Sequence, residues 1–225
     1  MTTKILLSIT GKESFDWANK LKEINARKID EAAIFFGSFD KKERDNLYRL
    51  LLKSTVKTVP FAHLRDDMSA EEIKFLIDRF KTKYFNIHES SFNILDQWKD
   101  YWNKLYLEMD FNDEIAKNVK VRKIGGFCVD LAHFKAAISR GTEEASYIFL
   151  RKNESEIACN HLNGYNPVTM KDIHIIKDLS SFDYLTTLPK YAFGKIIALE
   201  VYNSIEEQIK FREYVSRLLE KYLLE

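Results

Sequence analysis

Nine polar residues, scattered from position 63 to position 200, are the ones in this sequence best equipped for chemistry. Five are its histidines, His63, His88, His133, His161 and His174, and four are the carboxylates Glu108, Asp130, Asp172 and Glu200. Two pairs are close in sequence, Asp130-x-x-His133 and Asp172-x-His174. Imidazole nitrogen and carboxylate oxygen together form a donor set suited to Zn²⁺ or Mn²⁺. Any one of these residues, taken alone, reads as an ordinary hydrogen-bonded or solvated side chain. Gathered in one cavity, they read as a divalent-metal site, because buried carboxylates are costly unless protonated, hydrogen-bonded or bound to cations.

The elements that must gather them alternate. Short β-rich runs at 4–10, 29–36, 58–63, 83–88, 105–108, 126–130, 156–161 and 196–201 are each followed by helical or loop sequence. Helices are predicted over 14–26, 91–103, 113–120 and 181–191, with helical sequence from 131 to 150. Asp40 with Glu43, Ser69 with Glu72, and Ser204 with Glu207 have the spacing of capping boxes that open further helices. Eight βα units in 225 residues, about 28 each, fit a compact α/β chain forming one (β/α)₈ TIM barrel over residues 1–225. A doubly wound open sheet is the alternative, but the turn after the first strand carries a single glycine, Gly11.

In such a barrel the loops at the C-terminal strand ends share one face, and all nine residues fall at or just past those ends. Alternation along a strand puts Glu108 on the side of Tyr106, opposite Leu105, Leu107 and Met109. It likewise puts Asp130 with Cys128, opposite Val129 and Leu131.

Composition narrows the classes. Thirty-five basic against 34 acidic residues leave a net charge of +1, which excludes a broadly basic, DNA-coating surface. With 7 Gly and 3 Pro the chain is neither disordered nor linker-rich. Two cysteines without a CxxC spacing exclude a disulfide scaffold and an all-cysteine zinc site. No apolar run approaches the ~20 residues that span a bilayer, and the short run 5–7 is no signal-peptide core, so a cytoplasmic location without membrane attachment is expected. Cys128 and Cys159 read as small residues filling the barrel, Trp98 as helix packing, Arg65 as a solvated loop charge, and Gly125-Gly126 as a turn.

The run 127–137, with Asp130-Leu131-Ala132-His133 inside it, resembles the Asp-x-x-His signature of the xylose isomerase-like TIM barrels. His161-Leu162-Asn163 followed by Asp172-Ile173-His174 is similar to the His-Leu-Asn and Asp-Arg-His of that superfamily's endonuclease IV branch, with Ile173 in place of the arginine. The resemblance covers nearly the whole chain through the order of its strand ends. Its isomerase and epimerase branch implies one divalent metal on Glu108, Asp130, His161 and Glu200, with Glu108 and Glu200 as catalytic base and acid. Its nuclease branch implies up to three Zn²⁺ ions, with His63, His88, His133, Asp172 and His174 as further ligands. Retention of all nine favours an endonuclease IV-like phosphoester hydrolase, with abasic-site DNA as the best-defined substrate. The alternative is an isomerase or epimerase of a small sugar or sugar phosphate using Mn²⁺ or Mg²⁺. Nothing in the sequence marks an oligomer interface.

Overall fold

A computed structural model describes residues 3–11 and 14–224, apart from the side chains of Ser14 and Phe15. Eight parallel strands close into a barrel among the described residues. β1 runs in two pieces, Lys4–Leu6 and Ser8–Ile9, and the interruption at Leu7 lets it serve both sides of the closure. Its first piece pairs with β8 (Ile196–Leu199) and its second with β2 (Ala33–Phe35). Between them follow β3 (Phe61–His63), β4 (Tyr84–Ile87), β5 (Leu105–Leu107), β6 (Gly126–Asp130) and β7 (Glu156–Leu162), each beside its sequence neighbour. The expected (β/α)₈ TIM barrel is therefore the fold.

Side-chain alternation sorts the core as its period of two requires. Phe35, Phe61, Tyr106, Cys128 and Cys159 fill the barrel interior, while Leu105, Leu107, Val129 and Leu131 join the layer under the helices. Gly126 stands where β6 approaches β7, at φ +135°, and an added Cβ would lie 2.1 Å from the Glu156 carbonyl oxygen. Only glycine fits there, and Gly126, read from the sequence as part of a turn, is instead the first residue of β6, paired with Tyr106 and Glu156. A register shift between Phe127 and Cys128 then sets Asp130 opposite His161 across the two strands.

Six α-helices cover the barrel among the described residues: α1 (Ser14–Ala26), α2 (Lys41–Leu51), α3 (Ala70–Phe80), α4 (Leu131–Arg140), α5 (Glu143–Arg151) and α6 (Ile205–Leu224). Asp40 and Ser69 close reciprocal capping boxes on α2 and α3, and Ser204 with Glu207 does the same ahead of α6. The helical stretch 131–150 is broken at Gly141, whose left-handed conformation ends α4. Lys20 of α1 is buried, and its Nζ donates to the carbonyls of Thr10 and Val201, 2.8 and 2.9 Å away, stitching the chain just past β1 and β8.

Four segments depart from the local pattern. Instead of one helix over 91–103 there are 3₁₀ turns over Glu89–Asn93 and Leu95–Lys104, the latter broken by a kink at Trp98, and Leu95, Trp98 and Tyr101 pack into the core at a spacing of three. Trp98 is fully buried there, and its indole N–H donates to the Met68 carbonyl. Residues 113–120 form no helix. Backbone N–H groups in this segment and just ahead of it are met by distant carboxylates: Glu89 accepts from Asp110 and Ala116, and Glu144 from Asn112 and Asp113. The long connection after β7 contains a hairpin, Gly164–Asn166 against Lys171–Ile173. Its turn is set by Asn166, whose side-chain oxygen accepts from the N–H groups of Val168 and Thr169 ahead of the return strand. Past that hairpin, 181–191 is likewise 3₁₀, in the pieces Leu179–Thr187 and Lys190–Ala192.

Candidate metal centre

The C-terminal ends of the strands bring the nine residues to one rim in three linked groups. His63 closes β3 and His88 follows β4; their Nε2 atoms lie 3.1 Å apart, and 3.5 and 3.9 Å from Glu108 Oε2. The other Glu108 oxygen lies 2.9 Å from His161 Nδ1, which is 3.3 Å from Glu200 Oε2. Asp130 completes this second group, so that Glu108, Asp130, His161 and Glu200 each offer a donor atom within 4.8 Å of the others. The third set is a chain: His133 Nε2 is 3.7 Å from Asp172 Oδ1, and Asp172 Oδ2 is 2.7 Å from His174 Nε2. It joins the second group where His133 Nδ1 comes 3.8 Å from Asp130 Oδ2.

Local structure explains the aim of each ring. His63 Nδ1 donates to the Leu64 carbonyl at 2.8 Å, and His174 Nδ1 to the Glu200 carbonyl at 2.9 Å. Carbonyls only accept, so in both rings a proton sits on Nδ1 and Nε2 is the atom turned to the cluster. His161 is turned the other way, with Nδ1 toward the carboxylates and Nε2 in the dry interior. Asp130 also caps α4, accepting the His133 N–H at 2.9 Å, which is why an Asp-x-x-His spacing delivers both side chains to the same place.

Several supporting residues lay outside the sequence reading. Asn86, one alternation before His88, donates to Glu108 Oε2 at 2.6 Å, and Asn163 donates to Asp130 Oδ2 at 3.0 Å. The signal for Asn86 was its inward parity; Asn163 was visible as part of the His-Leu-Asn run but carried no role. Arg65 is more than a solvated charge, since it donates to Asp67 and to the Gly37 carbonyl and so ties two rim loops together. Ile173 packs against the core.

Charge in the cluster is uneven. Burial pushes His63 down to about 4. Burial opposes protonation of His88 too, but Glu108 and Asp110 overcome it and hold the ring at about 9. Burial would raise the Glu108 carboxyl, yet His161, His88 and His63 keep it well below the ordinary carboxylate range. Burial raises Asp130. An array of inward-facing imidazole nitrogens and carboxylate oxygens, with His63, His174, Glu108 and Asp130 held from behind by carbonyl or amide partners, could hold divalent cations. A cleft of about 250 Å³ lined by Thr10, Gly11, Phe35, Gly37, Ser38, His63, Glu200 and Tyr202 opens onto the first two groups.

The loop after β5 borders the site and carries a pH signature. Burial lifts the Glu144 carboxyl to about 7, against the pull of the Asn112 and Asp113 amides. Because this value lies above the ordinary 4.5, the folded protein retains the extra proton between those limits. The resulting stabilisation is complete below the window and is lost as the pH rises through about 7. Glu144→Gln, neutral throughout, should flatten that part of the stability profile in urea titrations; a profile parallel to wild type contradicts the assignment.

No protein-family model matches the sequence, and no curated protein matches it either. Among solved structures the chain is similar to an uncharacterised protein from Parabacteroides distasonis, with a TM-score of 0.52 and 13% identity over 96% of this chain and 99% of that one. It is also similar to a sugar phosphate isomerase/epimerase from the same organism, with a TM-score of 0.47 and 11% identity over 97% and 96% of the two chains. At such identities the likeness is one of fold. Among the described residues no helix is long and apolar enough to cross a membrane.

Proposed function

We propose that this barrel is a divalent-metal-dependent phosphoester hydrolase with a multinuclear site. One observation carries the reading: the two oxygens of Glu108 face different partners, Oε1 toward His161 and Oε2 toward His63 and His88. A carboxylate shared in this way joins two ligand groups, and a one-metal isomerase has no use for the second. Glu108, Asp130, His161 and Glu200 would hold one ion, His63, His88 and Glu108 another, and His133, Asp172 and His174 a third. Bound divalent ions would supply an ionised water and neutralise charge on phosphate oxygens. Glu108, held by Asn86, would orient the attacking water. The cleft beside His63 and Glu200 would seat the phosphoester, with Gly11, Gly37 and Ser38 leaving backbone within reach of its oxygens. Net charge near zero favours a small or accessible phosphoester over long duplex contacts, and abasic DNA is the defined test substrate.

A second reading is supported by the four-donor convergence of Glu108, Asp130, His161 and Glu200. With one ion there, Glu108 and Glu200 would act as base and acid in isomerising or epimerising a sugar or sugar phosphate. Elemental analysis of protein purified without added metal separates the two. About three zinc per chain with nicking of a duplex at a single abasic site supports hydrolysis. One ion per chain with solvent-proton exchange into a ketose or its phosphate supports the isomerase. No bound metal defeats both. Replacement of His174 by alanine should lower hydrolysis by ~10²-fold or more while leaving an isomerase largely active, because second-shell and outlying ligands weigh on metal affinity by such factors.

A further inference from the structure

The loop after β5 places two residues with no assigned role against histidines of two different ligand groups. Asp110 Oδ1 is 3.1 Å from His88 Nδ1, at ion-pair distance. Phe111 lies nearly parallel to the His133 imidazole, with centroids 4.6 Å apart and planes at 18°. The Arg140 guanidinium sits over the Phe111 ring at 4.5 Å and also pairs with Asp113 of the same loop. The loop is itself pinned from beneath, where the buried Glu89 and Glu144 carboxylates accept four of its backbone N–H groups.

An imidazole that offers one nitrogen to a cation must keep its proton on the other, and the partner of that proton decides which nitrogen is free. His63 and His174 use backbone carbonyls for this purpose. At His88 the nearest such group is the Asp110 carboxylate, 3.1 Å from Nδ1 as an ion pair without hydrogen-bond alignment. We propose that Asp110 is the positioning residue of His88: it retains the proton on Nδ1, leaves the Nε2 lone pair beside His63 and Glu108, and strengthens that nitrogen as a donor. Phe111, backed by Arg140, sets the plane of His133, so one loop orders a histidine in each outlying group. The inference rests on reading the cluster as a metal centre.

The test uses the full chain with Asp110→Ala and Asp110→Asn. Nitrogen-15 spectra of the histidine side chains in zinc-loaded protein should show His88 protonated at Nδ1 and bound through Nε2 in wild type, and a mixture of Nδ1- and Nε2-bound forms in Asp110→Ala. Zinc affinity of the group containing His63 and His88 should fall roughly 10- to 100-fold, with the His161 group keeping its ion. Asp110→Asn retains an acceptor oxygen without the charge and should fall between wild type and Asp110→Ala. An Asp110→Ala protein with an unchanged His88 tautomer and wild-type zinc affinity overturns the proposal, as does an Asn variant weaker than the Ala variant. Wild-type protein that takes up no ion defeats the metal reading of the cluster and the premise of this proposal with it, whereas wild-type protein that binds zinc beside an unchanged Asp110→Ala variant overturns the role of Asp110 alone.

Discussion

Glu108→Ala should abolish binding of two ions and lower turnover by about 10³-fold or more, equivalent to ~4 kcal/mol of transition-state stabilisation. The side chain is almost wholly buried. It accepts from Asn86, meets His161 at 2.9 Å and stands within 4 Å of the Nε2 atoms of His63 and His88. Truncation therefore removes a donor from two ligand groups at once and takes away the negative charge on which three imidazoles converge. It also leaves the Asn86 amide without its carboxylate. Loss at other positions is more local: His88 is half-exposed and belongs to one group, and Asp172 connects only His133 and His174. Metal content and turnover should be measured on the same preparation, with circular dichroism to verify the fold. A Glu108→Ala protein that still holds the wild-type complement of metal removes the bridging role and the multinuclear reading with it.

Arg44→Met should destabilise the protein by about 3–5 kcal/mol, which for a chain of this size is roughly 6–20 °C in Tm. Arg44 is fully buried between α2 and α3. Its guanidinium donates to Glu72 at 2.9 Å, to the Phe39 carbonyl at 2.9 Å and to Asp67 at 3.1 Å. Tyr48 adds a further donor to Glu72. Methionine fills much of the volume but leaves the Glu72 carboxylate buried with only the Tyr48 hydroxyl and the Ser69 N–H as partners and no opposite charge, and an uncompensated buried charge is what makes breaking such a pair expensive. The double variant Arg44→Met, Glu72→Leu removes both charges and should recover most of the loss. A double variant as unstable as the single one would show that shape, rather than charge, sets the cost. The effect should extend to the site, since Asp67 also accepts from Arg65, whose guanidinium holds the Gly37 carbonyl at the edge of the cleft.

Much of this architecture was readable from one-dimensional pattern. The eight strands, the capping boxes at Asp40 and Ser69 and the inward parity of Glu108 and Asp130 all follow from local rules, and the structure bears them out. The location of His63, His88, Glu108, Asp130, His161 and Glu200 at or next to barrel-strand ends was legible for the same reason. A parallel barrel turns the end of every strand toward one face, so position along a strand already determines position in space.

Other features depended on contacts between distant parts of the chain. The helix expected over 113–120 is replaced by a loop in which Glu89 and Glu144, more than 20 residues away on either side, accept the N–H groups of Ala116 and Asp113. The hairpin that carries Asp172 was hidden in a long connection, and the roles of Asn86, Asn163 and Asp110 depend on carboxylates and rings brought alongside by folding. Residue type and spacing specified which side chains could bind a cation. Which of them share a centre was decided by tertiary structure, because Glu108 meets His161 across 53 residues of sequence. Hydrophobic periodicity records which face of an element is buried. It carries no information about which two buried polar atoms will end 3 Å apart, since that depends on the closure and register of the whole sheet.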